Sequence, residues 1–290
     1  DEIKQIDAKV VKNTSNVGMV FLGKVNLTEF AFSGLGLNPN FGTPGNAFNK
    51  DYCPGGSSSG SAVAVASGLA PIAIGTDTGG SVRIPASFNS LVGYKSSEGY
   101  IDKTGVHPLS ITLDTIGPIS KSVMDCAIME RILKDEKFYE IKEVDLKKIK
   151  IVVPENLIFY YASNEVTKNF EDYLSKLRKN GLSIEYKYID VFDEMLDCSK
   201  INGTLATVES FFSLGKYVDG VDGNLIDNRV VDRIEIGRKQ SVSDYISIQQ
   251  NRLSLNKRLF KLFEDPTLLV MPTVGPNVPR IQPLDDDYNL

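Results

Sequence analysis

Apolar and polar positions along this chain follow helical and strand periodicities in turn. Apolar residues at helical spacing predict an amphipathic helix over residues 4–16. Short apolar runs bounded by glycine or proline predict buried strands at residues 18–23 and 71–75. Between them, residues 31–60 are rich in Gly, Asn, Pro and Ser and are predicted to be loop.

The alternation continues to the end of the chain. Small residues over 61–68 predict a closely packed helix, and residues 76–83 form a glycine-rich turn. A highly charged stretch at 134–148 predicts a solvated connector. The remaining predictions are a short strand starting within 88–92, helices at 122–133, 165–179, 192–216 and 241–264, and strands at 149–153, 183–189 and 268–271. Alternating strands and helices indicate an α/β fold with a mixed central sheet covered by helices.

Composition narrows the classes of function. The chain has 42 % hydrophobic and 24 % charged residues, which is typical of a globular protein. Its net charge of −5 argues against nucleic acid as the main partner. Cys53, Cys126 and Cys198 are far apart and form no CxxC pair, so we expect no disulfide framework, no zinc site and a reducing cytoplasm, with Cys53 and Cys126 as core residues. The longest apolar stretch, residues 62–74, is too short to span a membrane.

Two segments, residues 54–61 and 75–83, place serine hydroxyls among glycines, where backbone amides can approach a bound group. A serine nucleophile needs a base, and the only histidine, His107, precedes a proline in an expected loop. The known alternative is a neutral lysine. Residues 56–60 match the G-x-S-x-G nucleophile elbow but do not follow a predicted strand, and no P-loop lysine follows either glycine run.

Taken together, the two segments closely resemble the amidase signature family. The match covers the glycine–serine run at residues 55–61 and the GTDTGGSVR segment at residues 75–83, whose key serines lie 24 residues apart as in the family. Further similarity lies in Gly23, Lys24, Asn26 and residues 29–31, in Pro85, Ala86 and residues 93–95, in residues 105–110 and 113–118, and in residues 268–272.

The resemblance implies a role for each residue of the site. Ser81 would be the nucleophile, and the backbone N–H groups of Thr78, Gly79, Gly80 and Ser81 would form the oxyanion hole. Ser57, held by a cis peptide bond, would relay the proton between Ser81 and a lysine. No metal and no cofactor are implied.

Four further residues are expected to support the site. Asp77 and Arg83 are interpreted as a buried pair that holds the loop, while Ser59 and Ser61 are expected to cap or fix the glycine loop and the helix that follows it. The resemblance also implies the amidase signature fold, with helices on both faces of the sheet. We expect one domain over residues 1–290, with the signature region at 1–133 and a helical and sheet region on the substrate side at 149–290.

The family's third catalytic residue is a lysine in a segment upstream of the residues that match Gly23–Asn26, and that segment is not in the sequence. Neither Lys12 nor Lys24 is expected to replace it. The chain therefore resembles a family member shortened at both ends: part of a longer amidase, one product of a split gene, or an inactive remnant. We expect the isolated chain to be nearly inactive.

The predicted function is hydrolysis of a linear carboxamide through an acyl-enzyme on Ser81. The similarity at residues 105–110 favours small aryl or alkyl amides, and specificity is expected to come from residues 190–250. The alternatives are a glutamyl-tRNA amidotransferase A-type subunit, the one case in which nucleic acid is expected, and a non-catalytic remnant. We expect a cytoplasmic protein without membrane contact, with a complementing fragment or a homodimer as open possibilities.

Overall fold

The computed structural model describes residues 5–137, 140–141, 143–157, 162–200, 205–220, 225–263 and 266–282, with side chains described only up to residue 195 in the stretch that ends at 200. It divides into two compact units. The first comprises Asp1–Tyr139, Ala206–Arg238 and Val278–Leu290, and the second comprises Glu140–Leu205 and Lys239–Asn277. Residues 206–238, which were predicted to lie in the substrate-side region, belong to the same unit as the signature segments.

The first unit contains helices, short strands and long irregular loops. Its described elements are α1 (Lys9–Asn16), a 3-10 turn (Glu29–Ala31), α2 (Ser59–Ala66), β1 (Ile72–Asp77), α3 (Arg83–Phe88), β2 (Val92–Gly93), β3 (Thr115–Ser120), α4 (Val123–Lys134), α7 (Leu205–Val218) and α8 (Asn228–Arg238). The caps of α4 follow from sequence: the Ser122 hydroxyl accepts the Asp125 N–H, and Asp135 ends the helix with a left-handed conformation.

The second unit holds the other described elements. These are a 3-10 turn (Leu146–Lys148), β4 (Lys150–Pro154), α5 (Asn164–Lys179), β5 (Ser183–Lys187), α6 (Asp190–Lys200), α9 (Val242–Lys261) and β6 (Thr267–Leu269). Three sets of sequence predictions fall partly outside the described residues: residue 4 of the first helix, residues 138–139 and 142 of the connector, and residues 201–204 and 264 of two helices.

Strand β3 is the centre of an antiparallel sheet in the order β1-β3-β2. Neighbouring side chains on a strand point to opposite faces, and β3 shows both. Ile116 packs with Val10, Met129 and Leu133 on one face. Ile119 packs with Ala62, Val82 and Ala86 on the other. Helices thus cover both faces of this sheet, as the fold class predicts.

The second sheet is parallel, in the order β5-β4-β6. Its central strand β4 is buried on both faces, which matches its continuous apolar sequence. Val152 packs against Leu255 of α9, whereas Ile151 and Val153 pack against Leu174 of α5. The described residues therefore form two three-stranded sheets, one antiparallel and one parallel, where the sequence predicted one mixed sheet.

The predicted buried strand at residues 18–23 is wrong. This segment is irregular, and its large apolar side chains face outward, with Val20 82 % and Leu22 73 % exposed. An apolar run between glycines predicts burial only if other chain covers it, and the described residues do not cover these two side chains.

Two smaller predictions also need correction. Residues 83–88 form a helix, so the strand expected to start within 88–92 is only the two-residue β2. Helix α8, Asn228–Arg238, was not predicted at all. Cys53 and Cys126 are buried and unpaired with each other, in line with the expected core role, while the Cys198 side chain lies outside the described residues.

The core beneath β3 gives a direct test of this packing. Leu133 is fully buried against Val10, Ile116 and Met129, so Leu133→Ala should remove packing that the surroundings cannot replace. We expect the free energy of unfolding to fall by about 2–5 kcal/mol in urea titrations. Leu69→Ala, at a side chain that is 72 % exposed, should change it by less than about 0.5 kcal/mol. Equal effects of the two substitutions would contradict this core assignment.

Candidate active site

The loop that precedes α2 depends on glycine for its close approach to neighbouring backbone. Gly55 has a φ of +75°, and a Cβ there would lie 2.7 Å from the Cα of Pro85. A Cβ on Gly56 would lie 2.6 Å from the backbone nitrogen of Gly36. Any larger residue at either position would push the loop away, so the glycines are needed to seat it.

Ser57 lies at the centre of this loop and is 1 % exposed. The Gly56–Ser57 peptide bond is cis, as the family resemblance implied. The Ser57 carbonyl accepts hydrogen bonds from the Thr28 N–H (3.0 Å) and the Ser59 N–H (2.8 Å). Its hydroxyl has no hydrogen-bond partner among the described residues. The backbone of Ser57 is therefore fixed, while its hydroxyl remains available.

The two serine–glycine segments meet through Ser58. Its N–H donates to the Ser81 carbonyl at 3.1 Å, and its hydroxyl lies 3.3 Å from both the backbone nitrogen and the carbonyl oxygen of Thr76. A Cβ on Gly75 would lie 2.6 Å from the Ser58 hydroxyl, so β1 can approach this loop only with glycine there. The structure thus brings the Ser57 loop against the turn that carries Ser81.

The Asp77 carboxylate lies on the buried side of that turn and is hydrogen-bonded to it. Its fully buried carboxylate accepts two hydrogen bonds from the Arg83 guanidinium, both at 2.9 Å. It also accepts the N–H groups of Gly80 (2.7 Å) and Val82 (3.1 Å). Burial by itself raises the pKa of the Asp77 carboxyl, but the Arg83 charge and these donors outweigh it and hold that pKa below its usual value.

The amides of the turn divide into two groups. Because the Gly80 N–H donates to Asp77, the expectation that Gly80 belongs to the oxyanion hole is wrong. The N–H groups of Thr78, Gly79 and Ser81 have no acceptor among the described residues. A Cβ on Gly79 would meet no atom within 4 Å, so the space beside this turn is open. Three amides of the turn are therefore without an acceptor in the described part of the chain, beside space that is open at Gly79.

The remaining serines have different roles. Ser81 is 8 % exposed, and its hydroxyl has no hydrogen-bond partner among the described residues. Ser61 donates its hydroxyl to the Ile74 carbonyl at 2.9 Å and so ties α2 to β1. Ser59 is fully buried with an unpartnered hydroxyl, so the expected capping hydrogen bond is absent.

Alternative bases are not found beside these serines. The His107 ring lies in an exposed loop near the rings of Phe30 and Tyr217, each at a centroid distance of 6.1 Å. The side chains of Lys12 and Lys24 are exposed. Within the described part of the chain, no lysine amine forms a hydrogen bond with the Ser57 hydroxyl.

Two buried carboxylates near the site, Asp114 and Glu209, were not predicted as site residues from the sequence. Asp114 accepts a short hydrogen bond from the Thr78 hydroxyl, and Glu209 accepts hydrogen bonds from Ser110 and Thr112. Asp114 belongs to a segment that resembles the family, and its position in a polar turn was a usable signal. Glu209 lies on an ordinary helical stretch, and no local pattern indicates its burial.

Neither a metal site nor a membrane-spanning helix emerges from the described residues. No three His, Cys, Asp or Glu side chains among them are grouped to hold a metal ion. None of their helices combines the length and apolar character needed to cross a membrane.

Comparison with known proteins points to one family. A family model described as Amidase matches residues 1–289. The A-type subunit of glutamyl-tRNA(Gln) amidotransferase from Endomicrobium trichonymphae is 35 % identical over 71 % of this chain and 47 % of its own length. Indoleacetamide hydrolase from Pseudomonas savastanoi is 31 % identical over 96 % of this chain and 64 % of its own.

Solved structures show the same relationship. The crystal structure of an amidase superposes with a TM-score of 0.88 at 29 % identity, over 95 % of this chain and 62 % of that one. The A-type subunit of glutamyl-tRNA(Gln) amidotransferase from Thermotoga maritima gives 0.79 at 27 % identity, over 97 % and 64 %. The chain spans from about half to two thirds of the length of these relatives.

The Asp77–Arg83 pair predicts a pH-dependent stability. At pH 7, Asp77→Asn should lower the free energy of unfolding by about 1–3 kcal/mol, because the donors around Asp77 lose a charged acceptor, while the Arg83 side chain is 43 % exposed and keeps part of its hydration. The folded-state pKa of Asp77 lies below its unfolded value of about 3.9, so the unfolded chain takes up the proton first as pH falls. The difference in free energy of unfolding between the wild type and Asp77→Asn is therefore largest above about pH 5 and becomes smaller toward pH 3.

Urea unfolding of both proteins at pH 7 and pH 3 measures this difference. Asp7→Asn, at an exposed position, serves as the control and should match the wild type at both pH values. A stability gap between wild type and Asp77→Asn that stays the same at pH 3 would refute the assigned pKa direction.

Proposed function

Because this chain belongs to the amidase family, we propose that it hydrolyses the C–N bond of a linear carboxamide through an acyl-enzyme on Ser81. One observation carries the proposal. The turn after β1 presents the Ser81 hydroxyl together with three unpaired amides, and the Ser57 loop is hydrogen-bonded directly against it. A nucleophile beside preorganised donors is the arrangement that acyl transfer requires.

In this proposal, the Ser81 oxygen attacks the amide carbonyl and passes its proton to Ser57, which hands its own proton to a neutral lysine. The negative carbonyl oxygen of the tetrahedral intermediate is held by the N–H groups of Thr78, Gly79 and Ser81. Each such donor typically lowers the barrier by about 3–4 kcal/mol. The C–N bond then breaks, the amine leaves with the proton, and water releases the acid from Ser81.

The lysine is the part of this mechanism that the described residues do not provide beside Ser57. Without a base, a serine hydroxyl is a weak nucleophile at neutral pH. We therefore propose that the chain by itself hydrolyses amides slowly. A lysine delivered by a complementing polypeptide or by a second copy of the chain would raise the rate.

The proposed substrates are small aryl or alkyl carboxamides. Support comes from the similarity to indoleacetamide hydrolase over nearly the whole chain. A reducing cytoplasm remains the proposed location, because the two cysteines that the structure describes are buried and not paired with each other.

A second function is supported by a separate observation. Several relatives at 30–35 % identity are A-type subunits of glutamyl-tRNA(Gln) amidotransferases. In this alternative, the chain would release ammonia from an amide donor within a larger assembly that amidates glutamyl-tRNA. Affinity purification of the tagged chain from its own cells decides between the two: partner transamidase subunits favour the assembly, and a chain recovered alone favours the free amidase.

The proposed nucleophile gives a direct test of the amidase function. Ammonia release from a panel of small amides should be slow for the purified chain and should disappear in Ser81→Ala. Ser57→Ala should lower the wild-type rate further, because Ser57 is the group that takes the Ser81 proton. Ser97→Ala, at an exposed serine, should leave it unchanged.

Covalent labelling supplies a second readout where turnover is too slow to follow. A fluorophosphonate at high concentration should add to Ser81 in the wild type and not in Ser81→Ala, as read by mass spectrometry of the peptides. Amide hydrolysis that persists in Ser81→Ala would reject the proposal.

A further inference from the structure

Two neighbouring residues near the start of β3 hold Thr78, one through the backbone and one through the side chain. Thr115 donates its hydroxyl to the Asp77 carbonyl at 2.8 Å. That carbonyl and the Thr78 N–H belong to one planar peptide unit and point in opposite directions. Fixing the carbonyl of Asp77 therefore fixes the direction of the Thr78 N–H, which is one of the three unpaired amides of the turn.

The side chain of the same residue is held by Asp114. The Thr78 hydroxyl donates to one oxygen of the Asp114 carboxylate, and the other oxygen accepts the N–H groups of Leu109 (2.9 Å) and Ser110 (3.0 Å). Asp114 is 8 % exposed, so water competes little for these bonds. An ionised carboxylate only accepts hydrogen bonds, and three donors meet it here.

The loop that holds Asp114 is anchored on its far side by Glu209. This carboxylate on α7 is 4 % exposed and accepts hydrogen bonds from the Ser110 hydroxyl (2.6 Å), the Thr112 N–H (2.8 Å) and the Thr112 hydroxyl (2.7 Å). Leu109 also packs against Leu214 of the same helix. Residues 109–114, named here the brace loop, are thus fixed to α7 by both polar and apolar contacts.

We propose that Asp114 is a positioning residue, which acts through Thr78 and is supported by Glu209 through the brace loop. This inference rests on the proposed amidase function. Asp114 holds the Thr78 amide in the direction in which it donates to the oxyanion. Because the negative charge on the carbonyl oxygen is absent from bound substrate and develops on the way to the tetrahedral intermediate, loss of this alignment lowers kcat and leaves KM nearly unchanged.

Two pairs of variants test the proposal in the whole chain. Thr78→Val removes the hydroxyl that Asp114 binds but keeps the backbone amide and the side-chain shape, and Thr78→Ser restores the hydroxyl. Asp114→Asn places an amide group against donors that need an acceptor. Asp102→Asn is its matched control, because Asp102 accepts the same kinds of donor from Thr104 at an exposed turn.

For Ser81-dependent hydrolysis, we expect kcat to fall about 10²-fold in Thr78→Val and Asp114→Asn, the loss typical of one misplaced oxyanion donor. KM should change less than about threefold. Thr78→Ser should recover most of the rate lost in Thr78→Val. Glu209→Gln should also lower kcat, but by less than Asp114→Asn, because Glu209 contacts the brace loop and not Thr78. A rise in KM with unchanged kcat would overturn the positioning role.

Hydrogen exchange decides the inference independently of turnover. In Thr78→Val and Asp114→Asn, the Gly80 amide, which donates to Asp77 and is the hydrogen-bonded amide of residues 78–81, should exchange about tenfold faster than in the wild type, with α4 unchanged. Unchanged exchange of the Gly80 amide in both variants would refute the proposal that Asp114 positions this turn. A wild-type chain that shows neither Ser81-dependent hydrolysis nor fluorophosphonate labelling of Ser81 would instead reject the proposed function, and the two failures are therefore distinguishable.

Discussion

The buried carboxylate of Asp77 is the contact on which the geometry of the site depends. Its two oxygens accept hydrogen bonds from Arg83 and from two amides of the following turn, so the turn is wrapped around a single anion. A buried charge is tolerated only when it is paired in this way. Because the Gly80 N–H is drawn inward to Asp77, the peptide units on either side keep their own N–H groups unpaired.

Glycine at a few positions allows the second segment to reach this turn. A Cβ at Gly55 or Gly56 would collide with the backbone against which the Ser57 loop packs, and a Cβ at Gly75 would collide with the Ser58 side chain. Ser58 then joins the loop to Ser81 by a backbone hydrogen bond. The hydroxyls that the proposed chemistry needs therefore stand on rigid backbone, which keeps the cost of aligning them in the transition state low.

How far the sequence could predict this fold depends on the element. Helix α5 shows its apolar face, its N-cap serine and the glycine that follows it, so its ends were predicted within one residue. Strand β3 was missed because Gly117 and Pro118 interrupt its apolar pattern, although Gly117 is needed where a Cβ would lie 1.9 Å from the Tyr94 carbonyl oxygen. The apolar run at 18–23 was predicted to be a buried strand but is irregular and exposed, because an apolar run does not reveal whether other parts of the chain cover it.

By itself, the sequence determined the family, the alternation of helices and strands, and the two serine–glycine segments, since these are encoded by residue type and spacing within short stretches. Only the tertiary structure decided which amides remain unpaired at the turn, and that Asp114 and Glu209 stand behind Thr78. Hydrogen bonds between residues 36 or 99 positions apart leave no periodic trace in the chain. Which donor meets which acceptor is therefore settled only when folding brings distant segments to within about 3 Å.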